Sequence, residues 1–195
     1  MTSSLRIAVA DDEPRMLEYL TETLSELGHD VVCAASTGRE LVDFCTQSPP
    51  ELIISDIKMP DMDGLAAADE IRQQASIPII LVSAYHDQEF IDAALKNHVL
   101  SYLVKPIKQA DLETAIAIVN QRFKEFEVLH QQACDLRQAL EDRKLIERAK
   151  GILMRRAELE EQDAFLRLQK LSRDKNEKMV EIARMIITAE EALRP

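Results

Sequence analysis

The chain has 195 residues, 46% of them apolar and 30% charged, with a formal net charge of −11. That is enough apolar material for a conventional core, shared by one domain and a smaller second one. No apolar run approaches the roughly 20 residues that span a bilayer. The polar opening Met1-Thr2-Ser3-Ser4-Leu5-Arg6 lacks the apolar stretch of a signal peptide, so a cytoplasmic protein with no membrane partner is expected.

Cys33, Cys45 and Cys134 are odd in number and show no paired spacing, which argues against a disulfide framework. His29, His86, His98 and His130 are scattered, and each is expected in a surface or capping role. Charge is uneven: residues 1–133 carry 10 Lys and Arg against 22 Asp and Glu, whereas residues 134–195 carry 14 against 13. The two parts are expected to do different jobs.

In chain order, short β-branched runs predict strands over Leu5–Ala10, Val31–Ala35, Leu52–Ser55, Ile77–Val82 and Ser101–Val104. Amphipathic stretches between them predict helices over Pro14–Leu27, Gly38–Cys45, Leu65–Gln74 and Gln88–Leu95, then a long one from about Ala110. Strict β/α alternation implies a parallel sheet covered by helices on both faces. Gly28, Ser48-Pro49-Pro50 and Asp61-Met62-Asp63-Gly64 punctuate the pattern as turns.

After Leu112 no strand is expected. Leu112, Ile116, Val119, Phe123 and Phe126, then Leu129, Ala133, Leu136 and Leu140, form a coiled-coil-like seam on a helix of about 40 residues, which calls for a partner helix from a second copy. Two shorter helices are predicted over Glu161–Arg173 and Glu177–Leu193. Their apolar positions are Ala164, Phe165, Leu168 and Leu171, then Val180, Ala183, Ile186 and Ile187.

In an open doubly wound sheet, functional groups gather beyond the carboxyl ends of the strands. Asp11, Asp12 and Glu13 follow the first predicted strand, Asp56 the third, Ser83 the fourth, and Lys105-Pro106 the fifth. Singly these are weak signals, because Asp-Asp-Glu is commonly a solvated turn and Lys-Pro a loop. Together they bring carboxylates, a hydroxyl and an ammonium into one crevice. Clustered carboxylates repel unless a cation sits among them, and a hard oxygen-ligated ion such as Mg²⁺ fits. Asp56 beside such an ion can accept a phosphoryl group while Lys105 neutralises charge on the transferring oxygens. Ser83 can hydrogen-bond the new phosphoryl group.

The chain here resembles the receiver domains of two-component response regulators. The likeness covers residues 5–120. It rests on Asp11-Asp12-Glu13, the run Ile54 to Gly64, Ser83-Ala84 and Tyr102-Leu103-Val104-Lys105-Pro106. It implies a flavodoxin-like (CheY-like) doubly wound α/β fold with a five-stranded parallel sheet. It implies Mg²⁺ held by Asp11, Asp12, Asp56 and the Lys58 carbonyl, phosphorylation of Asp56 by a sensor histidine kinase, a Ser83/Tyr102 switch pair and a cis Lys105-Pro106 peptide. His98-Val99 stand where many receivers have a Gly-Ala pair, so the surface many receivers use for dimer contacts is expected to differ.

Between Arg143 and Arg156 six cations, Arg143, Lys144, Arg148, Lys150, Arg155 and Arg156, face only Glu147. A solvated helix face and a phosphate-backbone footprint both fit that pattern. The run Ile146-Glu147-Arg148-Ala149-Lys150-Gly151-Ile152-Leu153-Met154-Arg155-Arg156 resembles the signature of ANTAR antiterminator output domains. The likeness continues through Asp163 to Ser172 and Asn176 to Ala183. It implies a three-helix RNA binder whose dimers grip paired stem-loops in nascent transcripts. Gly151 costs a helix roughly 1 kcal/mol against Ala, so either a tight crossing with the third helix or close approach of RNA is expected there. Arg143, Lys150, Gly151, Arg155 and Arg156 are the candidate RNA contacts, and Phe165 is expected in the core.

These readings divide the chain into a receiver over 1–120, a coiled-coil-like helical linker over 121–135 and a small three-helix all-α domain over 136–195. The expected function is a phosphorylation-controlled antiterminator, dimeric on activation, whose only chemistry is self-phosphorylation and autodephosphorylation. Its rivals are a tail that binds DNA or a protein partner instead, and a phosphatase working through an aspartyl phosphate.

Overall fold

The computed structural model describes residues 4–84 and 101–192. Its elements are β1 (Arg6–Ala10), α1 (Pro14–Glu26), β2 (Asp30–Ala35), α2 (Gly38–Gln47), β3 (Leu52–Asp56), α3 (Gly64–Gln74), β4 (Ile79–Ser83) and β5 (Ser101–Val104). They are followed by α4 (Gln109–Ala157), α5 (Glu161–Lys175) and α6 (Met179–Ala192). The helix predicted over Gln88–Leu95, together with His86, His98 and Val99, lies outside the described residues. The chain divides into two compact units, Met1–Glu127 and Val128–Pro195, and α4 contributes to both.

In the first unit five parallel strands run in the order β2-β1-β3-β4-β5. The strands β3 and β4 are buried along their whole length, as continuous Ile/Leu/Val runs should be when helices cover both sheet faces. Ile7, Val9, Ile54, Ile80 and Val82 face one core with Leu20 and Leu24 of α1 and Leu112, Ile116 and Val119 of α4. Ala8, Ala10, Ile53 and Leu81 face the other, with Leu41 and Val42 of α2 and Ala67 and Ile71 of α3. Strand β4 begins at Ile79 and not at Ile77, because Pro78 has no N–H to give the ladder; its carbonyl accepts from Ile53 N at 3.0 Å.

Local chemistry sets the helix ends. Thr37 and Asp63 cap α2 and α3, accepting from the N–H groups of Glu40 and Ala66. Gly28 takes a φ of +85° just after α1, a turn that a side chain would resist.

The structure corrects two expectations about the long helix. The seam read as one stripe is two: Leu112, Ile116 and Val119 are buried against the sheet, so they already have a partner. Exposure begins further along, with Phe126, Leu129, Leu136 (72% exposed) and Leu140 open to solvent. The helix also runs for 49 residues and not about 40.

In the second unit Ala149 and Ile152 of α4 pack with Leu168 of α5 and with Ile182, Ala183 and Ile187 of α6. Ala164 and Leu168, four residues apart, define the buried stripe of α5. Phe165 is one residue round from that stripe and is 42% exposed, which overturns its expected place in the core. Leu168→Ala is therefore expected to destabilise the second unit by about 2–5 kcal/mol. Phe165→Ala should change it by no more than about 0.5 kcal/mol. Hydrogen exchange of the α5 and α6 amides reads both, and equal losses would show that the burial pattern is misjudged.

Candidate functional site

Strand order reverses between β1 and β3, and the crevice beyond their carboxyl ends is where an open α/β sheet gathers its polar groups. Asp11 leaves β1 fully buried, with Asp12 and Glu13 exposed beside it. Asp56 ends β3, and Lys105 arrives just after β5, its backbone N–H held by the Ser83 carbonyl at 2.8 Å. The Lys105–Pro106 peptide is cis. The Lys105 ammonium lies 2.8 Å from Asp11 Oδ2, 2.9 Å from Asp56 Oδ2 and 3.4 Å from Glu13 Oε1. Asp56 Oδ1 accepts from the Ile57 N–H at 2.7 Å.

Electrostatics in this cluster are unbalanced. Burial raises the Asp11 pKa, and Lys105 and the Glu13 N–H offset that only in part. For Lys105 burial pulls the other way, but the Asp11 and Asp56 carboxylates beside it outweigh that and hold the ammonium charged. Asp11 Oδ2, although close to the ammonium, makes no directional hydrogen bond and is the one buried side-chain oxygen or nitrogen among the described residues left without one. Ligand atoms of Asp11, Asp12 and Asp56 all fall within 4.8 Å of one another. An all-oxygen trio with a spare buried lone pair fits a hard divalent cation.

The other candidates of this unit stand nearby. Ser83 is buried at the end of β4 and pairs in register with Val104. Tyr102 pairs with Leu81 and packs half-buried against the core that also holds Leu81. Side-chain alternation along β4 and β5 puts Ser83 and Tyr102 on that same sheet face. Lys58 lies exposed in the loop after β3. That loop is gripped from two sides. A Cβ at Gly64 would collide with the Asp56 carbonyl, and one at Gly38 with the Met62 carbonyl.

The tail candidates are not brought together. Lys150 is 8% exposed, and its ammonium is clamped between Glu147 at 2.7 Å and Glu161 at 2.8 Å, which raise its pKa. Arg156 is held by Glu190 at 2.9 Å. Arg143 and Arg155 are exposed and make no ion pair among the described residues. Gly151 is half-exposed, and a Cβ there would meet only Arg155 Nη1 at 3.7 Å, so no tight crossing with α6 explains it.

The response regulator receiver domain family matches residues 7–117, and the ANTAR domain family matches residues 135–187. The chain is a response regulator with an ANTAR output domain.

A relative, the transcriptional regulatory protein PdtaR of Mycobacterium tuberculosis, is 35% identical over 182 residues, 93% of this chain and 89% of that one. Among solved structures, a receiver domain protein from Clostridium thermocellum is 28% identical with a TM-score of 0.57, covering 62% of this chain and 98% of that one. The receiver of NarL from Mycobacterium tuberculosis, 24% identical with a TM-score of 0.58 over 62% of this chain and 98% of its own, shares the fold. The five-stranded parallel sheet of this response regulator is thus the CheY-like receiver architecture, and the helical second unit corresponds to the ANTAR part.

Sequence reasoning named Glu147 within the basic run but passed over Glu161, Glu190 and Glu191, which reach their partners only through the tertiary fold.

The acidic trio of this response regulator should respond to metal. With a folded pKa above its usual value, ionised Asp11 destabilises the fold above the carboxylate range, and that penalty disappears as pH falls below it. A divalent cation at neutral pH relieves it. Mg²⁺ at ten times its dissociation constant is expected to stabilise the first unit by about 1.4 kcal/mol. Asp11→Asn should unfold no earlier than the parent without metal and lose that gain. Calorimetry with and without Mg²⁺ checks both, and an undiminished Mg²⁺ effect in the variant would remove Asp11 from the site.

Proposed function

We propose that a sensor histidine kinase phosphorylates Asp56 in the cytoplasm and that this controls RNA binding by the ANTAR unit, leading to transcription antitermination. The observation that carries the first half is the convergence of Asp11, Asp56 and Lys105 on one buried point, with Asp12 alongside. The Asp11, Asp12 and Asp56 carboxylates, with the Lys58 carbonyl, would hold Mg²⁺. When bound, the ion supplies positive charge to the oxygens of the transferring phosphoryl group.

The chain's own groups have these parts. Asp56 is the nucleophile: one carboxylate oxygen bonds to phosphorus as the bond from phosphorus to the kinase's histidine nitrogen breaks. Lys105, already charged and within hydrogen-bond distance of Asp56, stabilises the developing charge. Ser83 would donate its hydroxyl to the phosphoryl oxygens, and Tyr102, on the same sheet face one strand away, would shift with it. Self-phosphorylation and autodephosphorylation are the only chemistry this requires.

For the output, the divisions 1–120, 121–135 and 136–195 serve as receiver, linker and RNA-binding domain. The exposed apolar residues Leu129, Leu136 and Leu140 on α4 support a homodimer formed on activation. A dimer matches paired RNA stem-loops in number. Of the contacts expected from sequence, Arg143 and Arg155 are open to a phosphate, whereas Lys150 and Arg156 are already engaged by carboxylates.

The test is binding to a two-stem-loop RNA with and without a small phosphodonor and Mg²⁺, alongside Asp56→Asn. Phosphorylation is expected to tighten binding about tenfold or more, a coupling of about 1.4 kcal/mol, and the variant should lose that response. Absence of RNA binding in either state at every salt concentration would leave DNA or a protein as the tail's partner.

A further inference from the structure

The cations of α4 separate by direction. At 3.6 residues per turn, Arg137, Lys144, Arg148, Gly151 and Arg155, spaced 7, 4, 3 and 4 apart, share an arc of about 60°. The four cations are all exposed. The far side of the helix carries Ile146, Ala149 and Leu153 into the core of the second unit. Arg143 and Lys150 lie about a third of a turn from the middle of this stripe.

Gly151 sits within the stripe as an open notch. Only Arg155 Nη1, itself a stripe residue, would come near a side chain there. A glycine that weakens the helix and relieves no internal contact has its reason outside the chain. The stripe is also available. Arg137 and Arg155 make no ion pair among the described residues. Lys144–Glu141 and Arg148–Glu191, both 2.7 Å, are pairs of exposed groups, which are weakly held and which a phosphate can displace.

We propose that this stripe tracks the RNA phosphate backbone and that the bare helix backbone at Gly151 is the point of closest approach. The inference rests on the RNA-binding reading above and replaces Arg143, Lys150 and Arg156 as the contact set. Charge decides for RNA over a second copy of the chain. Two such stripes facing each other would repel, and the apolar seam ends at Leu140, short of the notch. Guanidinium forks match phosphate oxygens two at a time, so Arg148 and Arg155 on either side of the notch hold a strand at fixed depth.

The full chain is titrated with the two-stem-loop RNA at several salt concentrations. Arg137→Gln/Arg155→Gln, which breaks no ion pair among the described residues, is compared with Arg167→Gln/Lys170→Gln, an equal charge change at exposed positions of α5. The first pair is expected to weaken binding at least about tenfold and to flatten the slope of log K against log salt by about 1.5. The second should stay within about twofold. Gly151→Ala should firm the helix, raising the Tm of the second unit, while weakening RNA binding about fivefold or more.

Equal losses from the two charge pairs, or an undiminished Gly151→Ala, would overturn the stripe while leaving RNA binding itself intact. Failure of the parent to bind RNA removes both readings. Loss of self-association in the stripe variants without RNA, read by sedimentation, would make the stripe a protein interface and overturn the proposal.

Discussion

The Lys105 ammonium is the charge on which the first unit depends. Three carboxylates from two parts of the chain, Asp11 and Glu13 after β1 and Asp56 at the end of β3, can share one crevice only because a cation stands 2.8 to 3.4 Å from each. Its position is set by the sheet. Strand β5 pairs in register with β4, and the Lys105 N–H bonds the Ser83 carbonyl as the chain leaves the sheet, so the long side chain starts from a fixed point. The sheet in turn is held by two aliphatic cores on its opposite faces. The pocket is still short of positive charge: one cation serves several carboxylates, and buried Asp11 shows it in a raised pKa. That deficit is what a divalent cation, or a change of charge at Asp56, would act on under the proposed function.

The second unit solves the opposite problem. Its cations are numerous, but the fold supplies nearly as many carboxylates, and the most enclosed lysine is matched twice. A helical bundle this small has little apolar area to spend on holding unlike helices together. Pairs such as Lys150–Glu161 and Arg156–Glu190 link α4 to α5 and α6 while also muting the field the unit presents to polyanions. Binding by such a surface must come from where the remaining charges point, since total charge contributes little.

Much of this was legible because short-range rules govern it. Alternating strands and helices and the turn from Asp61 to Gly64 are written in neighbouring residues, and the observed elements keep close to the predicted ones, save that the fourth strand was read through Pro78 and starts only at Ile79. The pocket was legible for a related reason: strand ends in a doubly wound sheet have known positions, so Asp11, Asp56 and Lys105 could be placed before any contact was seen. What escaped depended on azimuth and on distant partners. Phe165 fits a helical period as well as Ala164 does, and only the packing of Leu168 shows which side is inward. Leu112 and Leu136 were read into one seam across a one-residue shift in the pattern, yet the first has a sheet beneath it and the second has none. Lys150 looked like a free cation because Glu161 lies beyond the next turn.

The grip on the loop after β3 has a consequence for speed. Gly64 lets the start of α3 lie against the Asp56 carbonyl, and Gly38 lets the start of α2 lie against that of Met62, so the stretch carrying Lys58 is seated when the chain folds. An ion reaching the crevice then has no segment to organise on this side, and one leaving it has none to release. Occupancy would then follow the surrounding concentration at the rate of diffusion and water exchange. Under the proposed function, the lifetime of a phosphorylated Asp56 would be set by bond chemistry at that carboxylate and not by a slow rebuilding of the loop around it.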